Sequence, residues 1–145
     1  MKILLAYDGF EHSENALAEA VELVKDAGTL TTVSVVPPDA RGSKSGGHVG
    51  LQPHAHQDVA VAHKYLRERG IESEMLIEHG DPAEEIARVA AEGGYDLILA
   101  GSRERGTVAE LLLGSVSKTL VRTAPCPVLV VGKDAGVRFE PTTQV

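Results

Sequence analysis

Leu97-Ile98-Leu99-Ala100-Gly101-Ser102-Arg103-Glu104-Arg105-Gly106-Thr107-Val108-Ala109-Glu110-Leu111-Leu112-Leu113-Gly114-Ser115-Val116-Ser117 is the stretch on which the reading of this chain turns. It opens with a continuous apolar run, the pattern of a strand buried on both faces, and breaks at Gly101. Thr107-x-x-Glu110 has the spacing of a capping box and predicts a short helix through Leu113. Gly114 then interrupts the chain, and an amphipathic run restarts at Ser115 and lasts to about Thr123. The first amides of a new helix have no partner within it and carry the positive end of its dipole. Gly114-Ser115-Val116-Ser117 is therefore a candidate seat for an anion or phosphate, with two hydroxyls as further donors. No G-K-[ST] follows, so this is not a Walker A loop, and no G-x-G-x-x-G is present. On these residues alone, a glycine turn that merely caps two helices is the competing reading.

Upstream, strands and helices alternate. Ile3–Tyr7 is a compact apolar strand closed by the turn residues Asp8-Gly9. Leu17, Ala20, Val21 and Val24 fall at helical spacing, with Gly28 as a stop. Leu30–Val36 reads as a second strand, ended by Pro37-Pro38, and Asp39–Pro53 as a surface loop rich in Gly and Ser. A helix from about Asp58 presents Val59, Ala62 and Leu66 and ends at Gly70. Ile71–Ile77 alternates more and is predicted to lie nearer a sheet edge. Asp81-Pro82-Ala83-Glu84 combines an N-cap Asp, a Pro at the first helical position and a Glu at the third, and Gly93-Gly94 ends that helix. After Ala124-Pro125-Cys126-Pro127 a fifth strand is expected at Val128–Val131. The remaining residues, 133–145, lack periodicity and are expected to be disordered, outside a domain of residues 1–132.

This alternation implies a mainly parallel sheet with helices on both faces. In such doubly wound sheets ligands bind beyond the carboxyl ends of the strands, where the strand order reverses. Order 3-2-1-4-5 makes the first and fourth strands neighbours and puts Asp8 and Gly101 on one crevice.

Composition limits the function. A chain of 145 residues with 43% hydrophobic and 24% charged residues is long enough for one domain with a sizeable core. A net charge of −7 with no basic stripe, and an aromatic content of 3%, argue against a nucleic-acid surface. The single Cys126 permits no internal disulfide, and no apolar stretch has the length of a membrane span. A cytoplasmic protein is the resulting expectation.

Five segments taken together resemble the universal stress protein family over about Met1 to Gly132: I-L-L-A-Y-D-G, H-G-D-P-A-E-E-I, D-L-I-L-A-G-S-R, L-L-L-G-S-V-S and A-P-C-P-V-L-V-V. The resemblance implies a flavodoxin-like α/β three-layer sandwich with strand order 3-2-1-4-5, and a cytoplasmic homodimer paired through Val128–Val131. An apolar edge strand there would otherwise invite aggregation. It also implies an adenine nucleotide, ATP with Mg²⁺, in members that carry G-x2-G-x9-G-[ST]. On this chain the first glycine is Gly101 and the closing pair is Gly114-Ser115, whereas position 104 is Glu104. A glutamate there adds a side chain and a like charge; at 5 Å and an effective dielectric of 20 the repulsion is ~3 kcal/mol. Gly106 offers compensating flexibility, and Arg103 or Arg105 compensating charge. By the same similarity Asp8 lies toward the adenosine, the Val35 backbone meets adenine, Ala100 and Gly101 face the ribose, and Ser115, Val116 and Ser117 face the phosphates.

Other candidates have blander readings. His48, His54 and His56 lack a firm fourth ligand and belong to a solvated loop. Cys126 reads as a small core residue rather than a redox thiol, and Glu84-Glu85 as part of a capped helix start. No nucleophile–base pair or metal-ligand set stands out, so no catalytic residue is assigned and slow ATP hydrolysis is the most that is expected. Three functions are carried forward: an ATP-binding regulator, a nucleotide-free dimeric adaptor with Glu104 blocking the phosphate seat, and an enzyme acting on another phosphorylated ligand.

Overall fold

The computed structural model describes residues 1–7, 11–25, 28–38, 55–101, 115–131 and 136–139. The elements run β1 (Lys2–Ala6), α1 (Glu11–Val24), β2 (Thr29–Val36), α2 (Ala55–Glu68), β3 (Ser73–His79), α3 (Pro82–Gly93), β4 (Leu97–Gly101), α4 (Ser115–Thr123), β5 (Val128–Val131) and β6 (Gly136–Phe139). One sheet takes them in the order β3-β2-β1-β4-β5-β6. The first five strands pair in parallel, as expected for order 3-2-1-4-5, and β6 adds antiparallel to β5.

Each face of the sheet has its own core. Ile3, Leu5, Tyr7, Leu97 and Leu99 pack with Ala16, Leu17 and Ala20 of α1 and Ala62 and Leu66 of α2. Leu4, Val33, Ile98, Val128 and Val130 pack with Ile86 and Val89 of α3 and Leu120 of α4. Alternate residues of one strand thus serve opposite layers, which is why β4 and, after Lys2, β1 are apolar without interruption. Burying a side chain such as Leu120, which is fully enclosed, contributes about 1.5–3 kcal/mol.

Helix ends follow the sequence signals closely. Asp81 caps α3 by accepting the Glu84 amide at 3.1 Å, with Pro82 next in line. Gly94 closes that helix in the left-handed region (φ 66°, ψ 42°); its amide donates to Ala91 O, and that of Tyr95 to Ala90 O at 3.0 Å. Gly70 (φ 77°) repeats the motif after α2, with Gly70 donating to Arg67 O and Ile71 to Leu66 O. Ile71 is thereby used by the cap, and the third strand begins at Ser73 rather than at Ile71 as expected. Within α3, Arg88 joins Glu78 of β3 to Glu85 and Glu92 at 2.7–2.9 Å. Hydrogen bonds to Glu85 and then Glu92 raise the guanidinium pKa further above its ordinary value.

Two expectations about the end of the chain are corrected. Residues 133–145 are not disordered throughout, because Gly136–Phe139 forms β6. Nor is Val128–Val131 a sheet edge: β6 lies along its outer side in the register Val128↔Phe139 to Val131↔Gly136. A four-residue strand that opens on Gly136 and is followed by Glu140-Pro141 was hidden by the absence of any periodicity long enough to read.

Candidate functional site

The connections place the site. α1 and α2 cover one face of the sheet, while α3 and α4 cover the other. The chain therefore reverses direction between β1 and β4, which are direct neighbours with Ala6 opposite Ala100. At such a reversal the outgoing connections diverge and leave a crevice at the carboxyl ends of the strands.

At this reversal both strands end in small residues. Ala6 ends β1, and Ala100 and Gly101 end β4, with Ala100 buried and Gly101 half-buried. On the other flank of β1, Val35 stands near the end of β2, half-buried and packed against the core beneath α3 and α4. The end of β2 is held on both sides: Val33 O accepts the Tyr7 amide and Val36 O accepts the Gly80 amide, each at 3.0 Å. Gly80 takes a φ of 144°, and a Cβ there would lie 3.0–3.2 Å from the Glu85 side chain, so the close turn after β3 favours glycine twice over.

α4 supplies the polar element. It begins at Ser115, the predicted position, and its first turn contains Val116, packed against the same core as Val35, and Ser117, which is 5% exposed. Its first turn contains no acidic side chain to occupy the dipole's positive end, and Arg122 lies in its last turn. Val35 and Val116 thus pack against one core, while Ala100 and Gly101 end β4 and Ser117 is buried in the first turn of α4. Of the other candidates, Asp8, Arg103, Glu104 and Gly114 lie outside the described residues, and of Ser115 only the backbone is described. Ala6 had no place in the sequence reading; its pairing with Ala100 became visible only through the register.

Residues 1–132 match the universal stress protein family. The chain belongs to that family. It is 32% identical over 144 residues to universal stress protein YxiE of Bacillus subtilis (strain 168), covering 90% of this chain and 97% of the relative. Its fold superposes on that of MJ0577 from Methanocaldococcus jannaschii with a TM-score of 0.74 at 28% identity, over 92% of this chain and 96% of the other. A universal stress protein from Archaeoglobus fulgidus, solved in complex with dAMP, has the same fold with a TM-score of 0.69. That likeness covers 90% of this chain and 97% of the other, and at 24% identity it speaks to fold alone.

Elsewhere, the Cys126 thiol is buried, and its pKa is raised by loss of water first and by the Asp96 carboxylate second. At neutral pH it is therefore a protonated thiol, a poor nucleophile. Among the described residues no group of three or more His, Cys, Asp or Glu is arranged to hold a metal ion. No described helix is long and apolar enough to cross a membrane.

Proposed function

We propose that this universal stress protein binds an adenine nucleotide, ATP foremost, in the crevice between the carboxyl ends of β1 and β4. The observation that supports the reading is the packing of Val35 and Val116 against one core, in a sheet whose direction reverses between β1 and β4, neighbours that end in the small residues Ala6, Ala100 and Gly101. A flat apolar base has room against Val35 and the small strand ends, while the amides opening α4 suit phosphate oxygens. The A. fulgidus family member solved with dAMP makes the adenine nucleotides the first class to test. In this reading Asp8 lies toward the adenosine, Arg103 offsets phosphate charge, and Gly114, Ser115, Val116 and Ser117 surround the phosphates. Mg²⁺ would arrive on the phosphates themselves.

The protein acts by occupancy. Nucleotide favours one arrangement of the chain between Gly101 and Gly114, changing what the surface offers to partners, and hydrolysis is at most slow. The role is regulatory, in the stress response and in the cytoplasm. Glu104, where the phosphate-binding pattern calls for glycine, favours a second reading: a nucleotide-free adaptor of the same fold.

Thermal unfolding with ATP–Mg²⁺, and separately with AMP, decides between them. Ligand at a hundredfold its Kd stabilises by about 2.7 kcal/mol, a shift well within reach of a melting scan. A shift supports the nucleotide reading. No shift at millimolar ATP, with a shift gained by Glu104→Gly, assigns the adaptor role to Glu104. No shift in either protein refutes nucleotide binding here.

A further inference from the structure

A single guanidinium, that of Arg88, holds three carboxylates. Glu85, Arg88 and Glu92 recur at helical spacing and form one stripe along α3. Nη1 of Arg88 donates to Glu92 at 2.9 Å, and Nε donates to Glu85 Oε1 at 3.1 Å. Nη2 donates to that same Glu85 oxygen at 2.7 Å and to Glu78 of β3 at 2.9 Å. All four side chains meet water, where ion pairs add little to stability. Two of the three carboxylates, however, lead to the end of β2. Glu78 is the register partner of Val35, as His79 is of Val36. The Cγ, Cδ and Oε2 atoms of Glu85 lie 3.0–3.2 Å from where a Cβ on Gly80 would stand. Gly80, at φ 144°, donates its amide to Val36 O at 3.0 Å. One route from Arg88 therefore runs through Glu78 to Val35, and the other through Glu85 and Gly80 to Val36, the last residue of β2.

We propose that Arg88 is a positioning residue for the base end of the nucleotide site, acting through Glu78 and through Glu85 against Gly80 to fix Val35 and Val36. The role rests on the nucleotide reading above and needs no contact between Arg88 and the ligand. A glycine at positive φ leaves the turn after β3 free to take other backbone angles, and its amide free to leave Val36 O. The Glu85 side chain removes that freedom by occupying the space beside Gly80. It stays there because two nitrogens of a rigid planar fork hold one of its oxygens. The same fork fixes Glu78 and so ties β3 to α3 at the level of Val35. Val35, Leu76 of β3 and Ala87 of α3 pack against one core, so the brace acts on a strand end already seated on that side. Glu92 belongs to the same helix as Arg88, and its contact ties α3 only to itself. A base that meets a strand end already held in place binds without the cost of ordering it.

The test compares the full parent chain with Arg88→Met, which keeps the length and helix preference of arginine, with Arg88→Lys and with Glu92→Gln. Hydrogen exchange of single amides by NMR, without ligand, reads the brace. Arg88→Met is expected to speed exchange at Gly80 at least about tenfold and to leave the Tyr7 amide, bonded to Val33 O on the other flank of β2, within about twofold. A general loss of stability would speed both. Titration calorimetry with ATP–Mg²⁺ and with AMP then reads the consequence for binding. Arg88→Met should raise both Kd values by the same factor, at least about threefold, because the base is common to the two ligands. Arg88→Lys, a point charge without the fork, should fall between parent and Arg88→Met, and Glu92→Gln should match the parent throughout. Unchanged Gly80 exchange in Arg88→Met overturns the proposal, and so does an equal change in Glu92→Gln. Faster Gly80 exchange with unchanged Kd values overturns the positioning role alone and leaves the nucleotide reading intact. A parent that binds neither nucleotide overturns that reading and this role with it.

Discussion

Gly93→Ala is a substitution in which two effects of similar size oppose each other, and the structure indicates which prevails. Gly93 is the last residue of α3, and alanine in a helix interior is worth about 1 kcal/mol more than glycine. Against that, a Cβ at this position would lie 2.4 Å from Cε2 and 2.9 Å from Cδ2 of Tyr95. These are ring atoms of a side chain only 9% exposed, packed in the core beneath α3 and α4. The ring is also pinned from outside: the Lys2 ammonium sits 4.5 Å from its centroid while donating to Gly93 O. Forcing an extra carbon into such a contact costs about 1–3 kcal/mol, and at the helix end the propensity gain is smaller than in its interior. The expected net loss is about 1–2 kcal/mol, or roughly 3–6 °C in Tm for a domain of this size. Urea unfolding of the parent, Gly93→Ala, Tyr95→Leu and the double variant completes a cycle. With the ring gone, the alanine should become neutral or stabilising, a coupling of at least about 1 kcal/mol. Gly93→Ala as stable as the parent, or additive with Tyr95→Leu, would refute the reasoning. Tyr95 lies at the amino end of β4, away from the crevice, so ligand binding by the folded variant should be unchanged.

Asp81→Ala should lose about 1 kcal/mol in the same assay, because Asp81 Oδ2 accepts the Glu84 amide at the start of α3, and Asp81→Asn should retain most of it. Cys126 should resist a thiol reagent in the folded protein and react readily in denaturant, since burial both hides the thiol and keeps it protonated. Its folded pKa is raised, so the associated stability is complete below the unfolded value of about 8.5 and declines as pH rises from there through the folded pKa. The parent should thus lose up to ~1.4 kcal/mol per pH unit across that window, and Cys126→Ala, measured in parallel, should show a flatter profile.

Sequence reading succeeded where a local signal and a tertiary need coincide. Asp81-Pro82 and Gly93-Gly94 delimit α3 because an N-terminal amide and two C-terminal carbonyls find their partners at those residues. The parallel order followed from apolar strands alternating with helices, and it made β1 and β4 neighbours, with Ala100 and Gly101 at the end of β4. The start of β3 was misplaced because Ile71 looks like a strand residue, while its amide is committed to Leu66 O. β6 was missed for a different reason: four residues are too few to show a period, and a nearby partner fixes what propensity leaves open. Ala6 carries no chemical signal at all, and its relevance depends on a neighbour 94 positions away, Ala100.

That pairing of alanines has a consequence for selectivity. Whatever rests above Ala6 and Ala100 meets only two methyl groups there, with no hydroxyl, ring or charge to distinguish one guest from another. Discrimination must then come from the peptide backbone and from the rims, and because Ala100 is only 5% exposed, an isoleucine or phenylalanine there would press on the packed residues around it.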